Sequence, residues 1–234
     1  ELVGEFPELQ GLMGGYFSTY QGFDKDISLA LTEQYLPIGL NSKVPKKPFS
    51  IALSITDKID SIVGFFGINE KPTSSKDPLA LRRTALGIIR ILIENKKDFK
   101  IGNLFSYSAS LYENQGFNLT NNSLQLELLN FLKDRFKYYL KEKQIRYDII
   151  DATISSFSLN KLFSSFEKAR CLNKIISSQI GKDITSSYKR ASNILESEMK
   201  NNKVEINDTT DPGIFKNDYE KNLYKKISEI RKYY

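Results

Sequence analysis

Histidine is absent from the 234 residues, and no other feature of the sequence excludes as much chemistry. Without an imidazole the chain has no histidine general acid or base, no Ser–His or Cys–His nucleophile pair and no histidine-ligated metal. Cys171 is the single cysteine, which excludes an intrachain disulfide and a cysteine-cluster zinc site. Because no histidine can activate it, we expect Cys171 to be a small buried apolar residue. The sequence therefore predicts no metal site and no catalytic residue.

Long apolar runs are also missing. No run approaches the roughly 18 residues that span a bilayer, so we expect no contact with a membrane. The start, Glu1 to Phe6, has no initiator Met, basic segment or cleavage site. This predicts that there is no signal peptide and that the chain is an internal piece of a longer protein. A single thiol favours a reducing, cytoplasmic location.

The composition is that of an ordinary globular protein, with 40% hydrophobic and 26% charged residues. The formal net charge is +6, and the positive balance begins only after residue 60. Such an excess fits contact with a polyanion over part of the surface, and it fits a solvated basic surface about as well.

Apolar residues recur at three- and four-residue steps along most of the chain. The clearest stripes lie between Pro48 and Gly67, from Leu81 to Leu92, and from Leu124 to Leu140. Shorter helices are predicted at 24–36, 103–114, 147–156, 160–179, 183–197 and 216–232. Because no stretch shows sustained period-two alternation, the predicted fold class is all-α.

The segment from Lys71 to Arg83 carries the best chemical clue. Asp77 is a good N-cap and Pro78 suits the first helical position, so a helix is predicted to start there. Four cations surround that start: Lys71, Lys76, Arg82 and Arg83. Cations oppose the dipole at a helix N-terminus, whereas free N–H groups and arginines there suit a phosphate. The segment predicts an anion site, and a solvated turn with incidental lysines is the alternative.

Two other patterns have plainer interpretations. Asp57 and Asp60, three residues apart on one helix, could act as acid and base, but exposed helix charges are the favoured interpretation. Tyr16, Phe17 and Tyr20 lie at helical spacing, and we expect them in the core rather than stacking on bases.

Five segments in register resemble the β subunit of bacterial heterotetrameric glycyl-tRNA synthetase. They are Val3–Gly14, Glu33–Pro37, Thr56–Gly64, Lys71–Gly87 and Lys189–Leu195. The resemblance is dense over residues 1–95 and sparser but collinear to about residue 197.

The resemblance implies a subunit of an α2β2 glycine–tRNA ligase, which attaches glycine to tRNA(Gly). The α subunit would carry the active site and use ATP and Mg, so this fragment would need no cofactor of its own. Its partners would be the α subunit, a second β subunit and tRNA(Gly). The implied domains are a degenerate HD-like helical domain at 1–115, a helical body at 116–197 leading to the anticodon-binding region, and a loop with the truncated start of the C-terminal anticodon-binding domain at 198–234.

Some relatives carry His-Asp where this chain has Tyr20-Gln21, and His where it has Gln34. Of the ligand positions only the acidic residue Asp57 remains, and Asp57 together with tyrosine and glutamine side chains cannot form the histidine-bound metal site of HD enzymes. The resemblance thus implies a scaffold and RNA surface without the ancestral chemistry.

The predicted role of this chain is to position the tRNA. We expect contacts to the tRNA sugar–phosphate backbone near the acceptor arm from Lys71, Ser74, Ser75, Lys76, Arg82 and Arg83. Lys189 and Arg190, on a second polar helix, are further phosphate-binding candidates, with a solvated face as their alternative. For the whole chain, the alternatives are a degenerate HD-type phosphohydrolase and a purely structural helical module without RNA contact.

Overall fold

The computed structural model describes residues 2–39, 41–73, 75–119, 121, 123–156, 158–202 and 210–232. The helices in chain order are α1 (Leu2–Glu5), α2 (Leu12–Tyr20), α3 (Lys25–Glu33), α4 (Pro48–Gly67), α5 (Leu81–Glu94), α6 (Ile101–Asn114), α7 (Leu124–Glu142), α8 (Tyr147–Ser155), α9 (Leu162–Ser177), α10 (Gln179–Asn202) and α11 (Asp218–Arg231). Short 3₁₀ turns lie at Pro7–Leu9, Leu159–Lys161 and Pro212–Ile214. The described ranges contain no β-strand, which confirms the all-α prediction.

The chain forms two compact units, Glu1–Ser178 and Gln179–Tyr234. The implied boundaries near residues 115 and 197 stay predictions. In the second unit, α11 begins with a capping box: Asn217 Oδ1 accepts the Glu220 N–H at 3.0 Å, and Glu220 Oε2 accepts the Asn217 N–H at 3.3 Å.

The core of the first unit is built around α4, α5 and α7. Helix α4 packs against α3, α5, α6 and α7, while α5 also packs against α7 and α9. Their apolar stripes meet in a continuous cluster, in which Ile88, Leu92 and Phe136 are fully buried. The helical stripes read from the sequence therefore do face the core.

The connection between α3 and α4, residues 34–47, is fastened to α4 and α5 by buried polar side chains. Ser54 Oγ donates to the Leu36 carbonyl at 2.6 Å. Arg90 donates to the carbonyls of Gly39 at 2.6 Å and Ser42 at 2.7 Å. These bonds satisfy the buried Ser54 hydroxyl and the buried Arg90 guanidinium, and they hold the connection over the two helices.

The prediction that Tyr16, Phe17 and Tyr20 lie in the core is wrong. Their exposed fractions are 67%, 57% and 91%. Helix α2 instead turns its small residues toward α3, with Gly15 buried. A Cβ on Gly15 would overlap Thr32 Oγ1, so this close backbone approach places the small face inward and the aromatic face outward.

The expectation that Cys171 is buried is also wrong, because the thiol side chain is exposed. Helix α9 buries Leu162 and Ala169. Cys171 follows Ala169 by two residues, which is about 200° around a helix, and it therefore lies on the opposite face.

Candidate nucleic-acid interface

The helix entrance predicted as an anion site already holds a carboxylate of the chain itself. Asp77 Oδ1 accepts the Leu81 N–H at 2.9 Å, and Oδ2 accepts the Arg82 N–H at 3.0 Å. Helix α5 begins at Leu81, so the predicted start with Asp77 as N-cap and Pro78 at the first position is wrong by three residues. The cause is Ala80, whose left-handed backbone (φ 55°) ends the turn closed on Asp77 and begins the helix.

This geometry changes how an external phosphate would bind. The anion-site prediction relied on free N–H groups at the helix entrance, and the helix begins instead at Leu81, where Asp77 accepts the N–H groups of both Leu81 and Arg82. A phosphate approaching this corner would meet cationic side chains rather than the helix terminus.

The predicted cations of the loop differ in availability. Lys71 Nζ lies 2.5 Å from Glu127 Oε2 on α7, so this ammonium is paired within the fold. The hydrogen bond from Lys71 lowers the pKa of the Glu127 carboxyl, which favours its charged form. Ser75 and Lys76 are exposed, whereas Ser74 lies outside the described residues.

Arg82 and Arg83 lie on the first turn of α5. Arg82 is half-buried and donates from Nη2 to the Thr73 carbonyl, while Arg83 is exposed. Thr73 in turn accepts the Lys76 N–H through Oγ1 at 3.1 Å, which ties the loop together. The two guanidinium groups therefore leave the helix beside a structured loop.

Both arginines line a groove of about 390 Å³ between the 34–47 connection, α5 and α7, which we name the arginine groove. Its described lining consists of four arginines, one tyrosine and five apolar or glycine residues: Arg82, Arg83, Arg90, Arg135, Tyr138, Pro37, Ile38, Gly39, Leu86 and Gly87. No carboxylate is among these described lining residues. The groove therefore combines a positive potential with apolar walls.

The four arginines have two different roles. Arg90 is buried, and each of its three side-chain nitrogens donates a hydrogen bond, since besides the two bonds to carbonyls its Nε donates to Glu94 Oε1 at 2.8 Å. Arg135 has a buried Nε atom with no hydrogen-bond acceptor among the described residues, and its Cζ lies 5.9 Å from the centroid of the Tyr138 ring. Arg90 holds the groove wall, while Arg82, Arg83 and Arg135 present charge to it.

Sequence reasoning missed Arg90, Arg135 and Tyr138. Arg90 did carry a signal, because it interrupts the apolar run from Ile88 to Ile93. An arginine in such a run is buried only when carbonyls or carboxylates satisfy it. Arg135 carried no signal of its own, since its neighbourhood is set by which helix packs opposite α7.

The second pair of candidates lies in the second unit. Lys189 and Arg190 are exposed neighbours on α10, as the sequence predicted for a polar helix. Their role in phosphate binding stays a prediction.

Comparison with known proteins adds a family to this geometry. The profile of a family described as "Glycyl-tRNA synthetase beta subunit" matches residues 1–155. The chain belongs to this family. This match confirms the family resemblance predicted from the five sequence segments.

Three relatives named "Glycine–tRNA ligase beta subunit" match nearly the whole chain. The protein of Ruegeria sp. (strain TM1040) is 37% identical over 228 residues, that of Paracoccus denitrificans 35% over 228, and that of Rickettsia canadensis 39% over 232. The matches cover 97%, 97% and 98% of this chain. They cover 32% of each relative, so the chain spans about a third of the length of these β subunits.

Of the positions at which the sequence predicted a lost HD-type metal site, Gln34 and Asp57 lie together. Gln34 Nε2 donates to Asp57 Oδ1 at 2.9 Å across the α3–α4 connection. Asp57 is half-buried because the α3–α4 connection folds over α4, so the prediction of an exposed charge is wrong for this residue. Asp60 is exposed, as predicted. Tyr20 and Gln21, in contrast, are both exposed at the end of α2.

The buried ammonium of Lys58 lies beside Gln34. It is 5% exposed, and Nζ donates to Ser54 Oγ at 2.9 Å and to the Gln34 carbonyl at 3.2 Å. Burial lowers the pKa of Lys58 to about 8, and the adjacent Asp57 carboxylate opposes this shift. No group of three or more His, Cys, Asp or Glu side chains suited to a metal ion occurs in the described part of this β-subunit segment.

Among the helices that the structure describes, none combines the length and the hydrophobicity needed to cross a bilayer.

Proposed function

We propose that this chain is the part of a glycine–tRNA ligase β subunit that holds the sugar–phosphate backbone of tRNA(Gly). Glycine attachment itself takes place on the α subunit, which uses ATP and Mg, within a cytoplasmic α2β2 enzyme. The chain contributes to aminoacylation by binding and orienting the RNA rather than by breaking bonds.

The arginine groove carries this proposal. It brings Arg82 and Arg83 of α5 together with Arg135 of α7, and no carboxylate is among its described lining residues. Guanidinium groups bind phosphate oxygens in a bidentate manner, and such contacts position RNA without reading its bases. Lys76 extends the same positive surface along the exposed loop.

The other predicted residues fit this role to different degrees. Ser75 is exposed beside Lys76 and can donate to a phosphate, and Ser74 is kept as a candidate from sequence alone. Lys71 contributes less, because Glu127 neutralises it. Lys189 and Arg190 would form a separate contact from the second unit.

The test is the salt dependence of tRNA(Gly) binding by the assembled enzyme. An enzyme with Arg82→Ala and Arg83→Ala together should bind more weakly. Its plot of log K against log salt should be flatter by about 0.7–0.9 for each lost phosphate contact. Unchanged affinity and slope would contradict the proposal.

A matched control removes the same charge elsewhere. Lys97 and Lys100 are exposed beyond the opposite end of α5, roughly 20 Å from Arg82 along the helix axis. The double variant Lys97→Ala, Lys100→Ala should keep the slope of the unsubstituted enzyme. An equal loss of slope in this control would show that net charge alone, and not the groove, determines binding.

A further inference from the structure

We propose that the arginine groove takes an unstacked nucleobase of the bound RNA in addition to the flanking phosphates. This inference rests on the proposed function, since it assumes that RNA reaches the groove. It adds a ligand of different chemistry, because a flat ring with polar edges needs an apolar slot whereas a backbone phosphate does not.

The shape and lining of the groove support this ligand. Pro37, Ile38 and Leu86 supply carbon surface, and the volume of about 390 Å³ lies in the range of small-molecule pockets. The described lining contains arginines and a tyrosine as its polar groups. Apolar walls with a few converging donors suit a base, whereas the flanking phosphates need only the guanidinium groups.

A stacking platform lies in the α7 wall. Arg135 and Tyr138 are three residues apart and share one helix face, and the Arg135 Cζ lies 5.9 Å from the centre of the Tyr138 ring. The Tyr138 side chain is 39% exposed, so its ring is accessible from solvent. Splayed bases of single-stranded RNA stack on aromatic rings and on guanidinium planes.

An unused donor lies beside this platform. The Nε atom of Arg135 is buried and has no acceptor within the described residues. A buried donor without a partner is unfavourable, and a carbonyl oxygen or ring nitrogen at the edge of a base would satisfy it. The Nε atom is closed to solvent, so an acceptor on a ligand would reach it only after the Arg135 side chain turns toward the groove.

The opposite wall is held open before any ligand binds. Arg90 fastens the Gly39 and Ser42 carbonyls at 2.6 and 2.7 Å. Gly87 adds no side chain to the floor, and a Cβ there would lie 3.0 Å from the Lys58 Cε, so the floor packs tightly underneath. A preformed slot lowers the ordering cost of binding.

The experiment compares two RNA hairpins with equal numbers of phosphates, one blunt and one with a single-stranded 3′ overhang, on the assembled enzyme. The overhang hairpin should bind more tightly. In the Tyr138→Ala enzyme its affinity should fall about 5- to 150-fold while the blunt hairpin and the salt slope are unchanged. Tyr138→Phe, which keeps the ring, should retain the preference.

A photo-cross-link supplies an independent readout. With 4-thiouridine in the overhang, irradiation should cross-link the RNA to a peptide of α7 that contains Tyr138. No cross-link to α7, or an overhang preference unchanged by Tyr138→Ala, would overturn the nucleobase inference and leave phosphate binding standing. If the double variant Arg82→Ala, Arg83→Ala bound tRNA(Gly) with unchanged affinity and salt slope, the proposed function would instead be overturned.

Discussion

Oδ2 of Asp77 accepts the backbone N–H of Arg82 at 3.0 Å, and the side chain of the same arginine lines the arginine groove. The same carboxylate accepts the N–H of Leu81 at 2.9 Å. Asp77 therefore neutralises the positive end of α5 and leaves the side chains to attract an anion. The entrance is stable without a ligand because this internal anion replaces an external one.

Replacing Asp77 by Ala should lower the free energy of unfolding by about 0.5–2 kcal/mol, the usual cost of losing a capping side chain. Asp77→Asn keeps an oxygen that can accept from one of the two N–H groups and should cost less. Urea denaturation of the three proteins measures both effects. Equal stability of the Ala variant and the unsubstituted protein would show that the two hydrogen bonds contribute nothing.

The buried Lys58 ammonium should make stability depend on pH. Folding lowers the Lys58 pKa from 10.5 to about 8, so between these values the unfolded chain binds a proton that the folded chain lacks. The free energy of unfolding, measured relative to Lys58→Met, should therefore rise with pH from about 8 to 10.5, with a slope approaching about 1.4 kcal/mol per pH unit.

Below pH 8 both states of Lys58 are protonated, and this difference should be flat. Tyr112 and Tyr139, whose pKa values burial raises to about 12, are present in both proteins, so their effects cancel in the comparison. A pH-independent difference across the whole range would mean that Lys58 titrates normally in the folded protein.

Lys71 should matter less to RNA binding than its sequence position suggests. Because Glu127 pairs with it at 2.5 Å, Lys71→Ala should reduce the salt slope of tRNA(Gly) binding less than Arg83→Ala does. Glu127→Gln frees the ammonium and should strengthen binding. A slope loss for Lys71→Ala as large as that for Arg83→Ala would argue that the RNA breaks the ion pair.

Two helical glycines should respond oppositely to alanine. A Cβ on Gly64 of α4 would lie 2.5 Å from the Tyr112 hydroxyl, which donates to the Asp60 carbonyl at 3.2 Å, so Gly64→Ala must displace that ring. A Cβ on Gly102 of α6 has nothing within 4 Å. In thermal unfolding, Gly64→Ala should lower the free energy of unfolding by about 1–3 kcal/mol, the usual cost of overpacking. Gly102→Ala should raise it by up to about 1 kcal/mol. Similar shifts in both variants would exclude the steric explanation.

The fold was predictable where the signal is local. The stripe from Ile51 to Phe66 identifies α4, because residues three and four apart share a helix face whatever packs against it. The helix start near Asp77 was missed by three residues, since the choice between Asp77 and Ala80 as the end of the turn depends on backbone angles that one sequence does not reveal. The burial of Tyr16, Phe17 and Tyr20 was mispredicted because spacing indicates a helix face but not the direction in which that face points.

The sequence alone determined that this protein is all-α, that no imidazole chemistry is available to it and that it resembles one synthetase family. Composition, helical periodicity and local motifs do not depend on how the helices pack. Tertiary structure decided which cations are available. Glu127 pairs with Lys71, backbone carbonyls engage Arg90, and Arg135 joins Arg82 in one groove although 53 positions separate them in the sequence. Such pairings depend on which helices pack together, and that outcome comes from the whole core rather than from any one segment.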